Sequence, residues 1–443
     1  MAVLTKRRLF EFRACLDAYR YAVAAVDQVA ISLFNFAVTF SLVHLLSAPE
    51  FGTYGLWIAV ANLAIGVQSA LVCTPLGVHA PAEPDVMSRR RLEGALGTVN
   101  MLFVGFACLT VLGITLFGEA EWIPGDLVAK IAIPAFIAAE LYREYCRSIA
   151  YGRHDMALLL LVDGPYIAIT AVFIGAMLLW PQHLAALGQL FIGLTLGGVV
   201  GRLCASLRIQ VHVLRRGWTE AYRSVFGESM WMLAGVVSSH VQARSYTYIT
   251  TALVGLAQLG SINAVGLLFR PGQTMLIAWR RATLPQLANL SAAGEFRAYN
   301  QRLLMALMAA SVGFGIWCGL LWLSWGLIER YFLGAKYPHA VLLLMPWAIV
   351  AAQDAIAEIL ATGLQAIREF RFLAYVTMIS APVTAVATIG LTLWQGYTWT
   401  LYGLAIGQGV NIAMMVGRLS RAHRRLVIQP APSGGVLPRT LPP

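Results

Sequence analysis

The residue that asks most of its surroundings is Arg270, in the stretch "LLFRPGQTML" from Leu267 to Leu276. Between Ala252 and Trp279 it is the one charge in an otherwise largely apolar run. Counted from Gly260 to Arg280, it lies ten residues from either end, or about 15 Å each way along a helix. That is the middle of a bilayer about 30 Å thick. A charge at such depth costs roughly 2.5–3.5 kcal/mol on insertion scales. A guanidinium is always charged and grips phosphate through a two-pronged fork, where lysine acts as a point charge. An anion that must cross the low-dielectric midplane would offset the cost.

Arg270 shares a helical face with Asn263, Gly266, Gln273 and Thr274. The preceding apolar run offers His240, Arg244, Thr247 and Tyr248 at the same spacing, and the first run offers Gln28, Ser32, Asn35 and Thr39. Polar stripes in hydrocarbon must point at protein or water. The three runs are therefore expected to line one wet cavity, with Arg270, Arg244, His240, Asn263, Gln273, Thr274, Gln28, Ser32 and Asn35 facing the substrate. Interhelical glue is the competing account of the Ser, Thr and Asn positions. For Arg270 the competing account is a buried acid as structural partner. Pro271 and Gly272 fit either a locally broken helix or a packing kink.

The acids fall into two kinds. Glu140, Arg143, Glu144 and Arg147 follow i, i+3, i+4, i+7, a balanced set that holds together locally. It is expected to be structural or a gate on the cytoplasmic side. Asp354 and Glu358 instead place two like charges at i, i+4, where two carboxyls can share one proton. They are candidates for coupling to H+ or Na+, or for neutralising Arg244 or Arg270. Asp27, and Asp163 just before Gly164-Pro165, are further coupling candidates.

Nothing here calls for catalysis. His240 is the one histidine deep in an apolar run, and it has no catalytic partner nearby in sequence. No Gly-rich phosphate loop appears. The six cysteines (Cys15, Cys73, Cys108, Cys146, Cys204, Cys318) lack metal-ligand spacing and suggest no disulfide framework. No cofactor and no metal site are expected beyond a coupling ion.

These side chains need elements to hold them. The chain has 443 residues, of which 59% are hydrophobic and 12% charged, with a mean hydropathy of +0.70; soluble domains carry about 25% charged residues. It reads as an all-α, polytopic membrane protein. Twelve spans are expected near residues 21–45, 52–78, 94–117, 127–150, 156–180, 184–207, 225–250, 258–280, 302–328, 339–365, 371–394 and 397–418. The net charge of +11 invites a nucleic-acid reading, but its placement excludes one. On these spans 27 of the 32 Lys and Arg fall on one side, and only Lys130, Arg330 and Lys336 fall opposite. The bias alternates loop by loop, which places both termini in the cytoplasm.

The chain also looks doubled. "LLSAPEFGTYGLW" opens the second span and "LVGLAQLGSINAV" the eighth, and aligning Gly52 with Gly260 gives an offset of 208. "YGRHDMALL" and "QAIREFRFLA" match at a similar offset. Six spans per half is even, so the halves should be related by an axis along the membrane normal, with a substrate path between them. The expected organisation is an amphipathic arm (1–20, with Leu9, Phe12, Leu16 and Tyr19 on one face), a first six-helix lobe (21–213), a linker (214–224), a second six-helix lobe (225–418), and a basic then Pro-rich disordered tail (419–443).

The run "NFAVTFSLVHLLSAPEFGTYGLWIAVANL", with Glu50-Phe51-Gly52-x-Tyr54 at its centre, resembles the opening of polysaccharide flippases of the Wzx type. Those belong to the wider superfamily of multidrug, oligosaccharidyl-lipid and polysaccharide exporters. The resemblance spans roughly residues 20–425. It implies an alternating-access transporter in the bacterial inner membrane, moving a polyprenyl-pyrophosphate-linked oligosaccharide from the cytoplasmic to the outer leaflet for exopolysaccharide, O-antigen or capsule synthesis. Partners would be that lipid, the bilayer and other polysaccharide-assembly membrane proteins, with no nucleic acid. Two alternatives stay open: a multidrug or metabolite antiporter of the same superfamily, and a membrane-embedded glycan polymerase, ligase or acyltransferase.

Overall fold

A computed structural model of the chain describes residues 26–83, 85–153, 155–180, 186–209, 213 and 216–428. The expected N-terminal arm and most of the expected tail lie outside them. Within them the chain is helical throughout its regular structure. The first half comprises α1 (Val26–Leu45), α2 (Ala48–Gln68), α3 (Val86–Phe117), α4 (Leu127–Arg153), α5 (Met156–Leu179) and α6 (Ala186–Ser206). After α2 the path continues through a π turn, Ser69–Cys73, into a short helix, Thr74–Ala82. The second half comprises α7 (Trp218–Leu253), a broken α8 in two pieces (α8a, Leu256–Leu267; α8b, Arg270–Ala292), α9 (Phe296–Leu323), α10 (Leu344–Ala366), α11 (Phe370–Gln395) and α12 (Thr400–Ile428). Each half packs mainly on itself: α6 against α4 and α5 in the first, α12 against α10 and α11 in the second. The fold is that of an all-α polytopic membrane protein with two six-helix halves.

Several helices run past the ends that hydropathy sets. α3 begins at Val86, α7 begins at Trp218 inside the expected linker, α8b continues to Ala292, and α12 continues to Ile428 through part of the expected tail. All of these overruns are at the arginine-rich ends. Apolar periodicity marks where a helix leaves hydrocarbon, not where its hydrogen bonding stops.

The doubling is visible as geometry. Ser47 caps α2 with a reciprocal box: its hydroxyl accepts from the Glu50 N–H, and the Glu50 carboxylate accepts from the Ser47 N–H at 2.9 Å. The corresponding cap of α8a is Gly255, whose φ of 118° suits glycine. The two helices then cross with their backbones nearly touching. A Cβ on Gly52 would sit 1.9 Å from the Leu256 carbonyl oxygen, and one on Gly260 would sit 2.1 Å from that of Ala48. Both contacts exchange under the same 208-residue offset, so the glycines aligned in sequence meet each other in space, as they must at a two-fold crossing. Gly52→Ala and Gly260→Ala should each force the halves apart and destabilise by about 1–3 kcal/mol. Detergent melting would show it, and wild-type melting of both variants would contradict the crossing.

Nine helical stretches among the described residues are long and apolar enough to cross a membrane. α4, α7 and α8b are not among them, and these carry Glu140 to Arg147, Arg244 and Arg270. These three fail the hydropathy test because they carry several charges within their length. The expected orientation, basic ends inside, rests on the distribution of Lys and Arg. Cysteines placed at Glu121 and Gln395 should react with an impermeant reagent on intact cells, and one at Arg90 should not. Labelling at Arg90 would reverse the orientation.

Candidate functional site

α8 breaks where Pro271 cannot donate a backbone hydrogen bond. Leu268 and Phe269 form a tight turn, bonding back to the Val265 and Gly266 carbonyls at 3.1 Å. The Leu268 carbonyl accepts from the Trp317 indole at 3.0 Å. Arg270 therefore begins α8b, at a break whose freed backbone is partly satisfied by a neighbouring helix.

Arg270 lines a cavity of about 400 Å³. On α8 it is joined by Asn263, Gly266 and Gln273, on α7 by Gln242, Arg244 and Tyr246, on α10 by Trp347, Asp354 and Glu358, and on α12 by Gln408 and Asn411. Gly266 leaves room for Trp347, whose ring a Cβ there would meet at 2.6 Å. The Trp347 indole donates to the Ile262 carbonyl at 2.8 Å, and its ring meets Tyr246 edge-on with centroids 5.7 Å apart. These contacts fix one wall.

The two cavity arginines are differently held. Arg244 reaches the Tyr246 hydroxyl at 3.4 Å. Arg270 is exposed to the cavity, and among the described residues no carboxylate lies within ion-pair distance of it. The structural pairing of Arg270 with Asp354 weighed above is not formed. Asp354 instead accepts from the Gln408 amide at 2.9 Å, while Glu358 meets Arg280 at 2.8 Å. The two acids of α10 thus have separate partners.

The remaining expected residues distribute as follows. α1 does not contribute to this cavity. Its Ser32 and Thr39 hydroxyls bond to their own helix, on the Gln28 and Asn35 carbonyls. His240 is bonded to the Tyr248 hydroxyl at 2.8 Å, and Thr274 to the Arg270 carbonyl; neither lines the cavity. The face that α7 turns inward carries Ser239, Gln242, Ala243, Arg244 and Tyr246, so of the His240–Arg244–Tyr248 stripe only Arg244 reaches the cavity. Gln408 and Asn411, three apart on an apolar helix, were the legible signal on α12 that the stripe argument passed over.

A second cluster joins α1, α4 and α5. Asp163 meets Arg143 at 2.7 Å and Arg147 at 3.0 Å, the latter close but not aligned for a hydrogen bond. Arg147 also reaches Glu144 at 3.0 Å and lies 3.9 Å from Asp27. Arg143 forks onto Glu140 and stacks over Tyr166, 4.1 Å from the ring centroid. Gln28 accepts from Arg147 at 3.4 Å. The deeply buried quartet Asp27, Arg143, Arg147 and Asp163 balances two charges against two. Glu140 and Glu144 at its edge add two further acids. The balanced set read on α4 is therefore one part of a network that takes in both coupling candidates of the first half.

At the end opposite the basic loops, the halves are clasped. Lys336 donates to the His44 and Leu46 carbonyls at 2.5 and 3.3 Å, so a cation caps the C-terminus of α1. Phe40 stacks on Phe332 with centroids 4.6 Å apart. α8b, by contrast, packs chiefly against α9 and α10 of its own half. At the basic end α7 also meets the first half, with the Tyr222 hydroxyl donating to the Leu71 carbonyl at 3.0 Å and Glu228 lying 2.9 Å from His79.

No family model and no curated protein matches the chain. Solved structures do. The inward-facing form of a multidrug resistance MATE family transporter of the MOP superfamily aligns with a TM-score of 0.70 at 12% identity, covering 91% of this chain and 98% of that one. The lipid II flippase MurJ in an inward closed conformation aligns at 0.68 and 12% identity, covering 91% and 89%. A MOP superfamily transporter from Pyrococcus furiosus, whose binding pocket is described as reversed in polarity, aligns at 0.54 and 12% identity, covering 91% and 93%. At such identities the likeness is one of fold.

Proposed function

We propose that this chain, which carries the fold of MOP superfamily transporters, is a flippase for a lipid-linked, pyrophosphate-bearing glycan. It would work by alternating access between its two halves at the inner membrane of a bacterium. The observation that carries this reading is Arg270: a guanidinium in a mid-membrane cavity, with no acid partner among the described residues, ten positions after the close inter-half crossing at Gly260 and at the start of the second piece of a broken helix. Arg270 and Arg244 together offer two fixed positive charges to a group that carries about two negative ones. The fork of each suits phosphate oxygens. The membrane potential works in the same direction, since an anion of charge about −2 moves outward downhill by roughly 4–5 kcal/mol at 100 mV.

Deleting the gene and locating the lipid-linked glycan tests this. Accumulation on the cytoplasmic leaflet is the expected result, and unaltered glycan export would remove the reading. A second reading, a multidrug or metabolite antiporter, is favoured by the Asp354 carboxylate, which faces the same cavity with no cation within ion-pair distance among the described residues. New sensitivity to cationic compounds with normal glycan would select it.

Coupling is assigned to the first-half cluster, whose loosest member is Asp27, 3.9 Å from Arg147. Asp27→Asn should flatten the pH dependence of transport in vesicles while leaving the melting temperature close to wild type. An unchanged pH profile would take Asp27 out of the mechanism.

A further inference from the structure

The cavity carries Arg270 at one end, with Arg244 within electrostatic reach of both Arg270 and Asp354. At the other, Gln408 is locked by three neighbours. Its carbonyl accepts from the Gln242 amide at 2.7 Å and from Asn411 at 3.2 Å, which turns its own NH2 onto Asp354 at 2.9 Å. What this end still offers the cavity is mainly acceptors, the remaining lone pairs of Asp354 and the side-chain carbonyls of Gln242 and Asn411, with Gln273 and Arg244 as the neighbouring donors that also act on the carboxylate. Among the described residues no cation lies within ion-pair distance of Asp354. An anion cannot settle against acceptors, so a bare pyrophosphate would use only the Arg270 end. A simple cation would use only the Asp354 end. A molecule that satisfies both is anionic in one part and rich in hydrogen-bond donors in another.

We propose that Asp354, held by Gln408, Gln242 and Asn411, recognises the hydroxyl or amide N–H donors of the sugar joined directly to the pyrophosphate. This inference rests on the pyrophosphate reading above and adds the feature by which one glycan lipid is chosen over another. The volume agrees: about 400 Å³ is near the lower end of the roughly 300–1,000 Å³ of small-molecule pockets, enough for a diphosphate and its first ring. Trp347 and Tyr246 supply an aromatic wall for the apolar face of that ring. A site built to satisfy donors discriminates strongly against a ligand lacking them, because its own buried groups are then left unpaired.

Purified full-length protein would be titrated with two probes, farnesyl pyrophosphate and a hexosyl-pyrophosphoryl-farnesol. The wild type should prefer the glycosylated probe by about tenfold or more, one good charge-assisted hydrogen bond's worth. In Asp354→Asn and in Gln242→Leu the ratio of the two dissociation constants should fall towards one, and Arg270→Ala should weaken both probes. A ratio unchanged in both α7 and α10 variants overturns the inference. So does Asp354-dependent binding of tetraphenylphosphonium with no preference between the two pyrophosphates. Failure of the wild type to bind either pyrophosphate probe instead sinks the pyrophosphate reading, and the inference with it.

Discussion

Arg270→Ala should abolish glycan export in a protein that inserts and melts like the wild type. A buried charge whose removal strands a partner costs about 3–5 kcal/mol, but Arg270 has no carboxylate partner among the described residues. Removing it therefore strands nothing and relieves a desolvation cost. Lysine should rescue export only in part, because it keeps the charge and loses the fork. The double variant Arg270→Leu with Asp354→Leu should stay inactive. Normal export by that double variant would show that the arginine serves the fold and not the substrate. Parallel measurement of export and detergent melting separates the outcomes.

Asp163→Ala should have the opposite signature. Asp163 is 1% exposed and sits between Arg143 and Arg147. Its loss leaves Arg143 with Glu140, and Arg147 with Glu144 and the looser contacts to Asp27 and Gln28 on α1. A destabilisation of about 3–5 kcal/mol is expected, read as a large fall in melting temperature and in the amount of inserted protein. Asp163→Asn, which keeps one acceptor oxygen, should fall between. Wild-type melting of Asp163→Ala would mean that the cluster contributes nothing net to stability, as holds for some surface pairs.

The two signatures also show what local sequence can and cannot tell. Nine of the expected spans were legible because hydrocarbon demands about twenty apolar residues per crossing, while α4, α7 and the broken α8 fall short of that test. The crossing of Gly52 with Gly260 was legible as an offset, although its meaning as a two-fold contact needed coordinates. On α8 the face Asn263–Gly266–Arg270–Gln273 follows directly from helical spacing. On α7 the same rule found Arg244 but passed over Gln242 and Tyr246, while His240 and Tyr248 satisfy each other outside the cavity. α1 was assigned to the cavity for its polar stripe, yet Ser32 and Thr39 spend their hydroxyls on their own backbone. Such back-bonding looks identical to a wet face in sequence. The association of Asp27 and Asp163 with Arg143 and Arg147 spans three helices, and no periodicity within one helix reports it.

The central claim is that this protein carries a pyrophosphate-linked glycan across the membrane in a cavity built around Arg270. The direct measurement is transport in proteoliposomes loaded with a fluorescent pyrophosphate-linked glycolipid, scored by loss of accessibility to a membrane-impermeant quencher. Wild-type protein should move the lipid between leaflets, faster under a potential that drives anions in the export direction, and Arg270→Ala vesicles should match empty ones. Equal transport by wild type and Arg270→Ala would contradict the account, as would wild-type vesicles that move ethidium and leave the glycolipid in place.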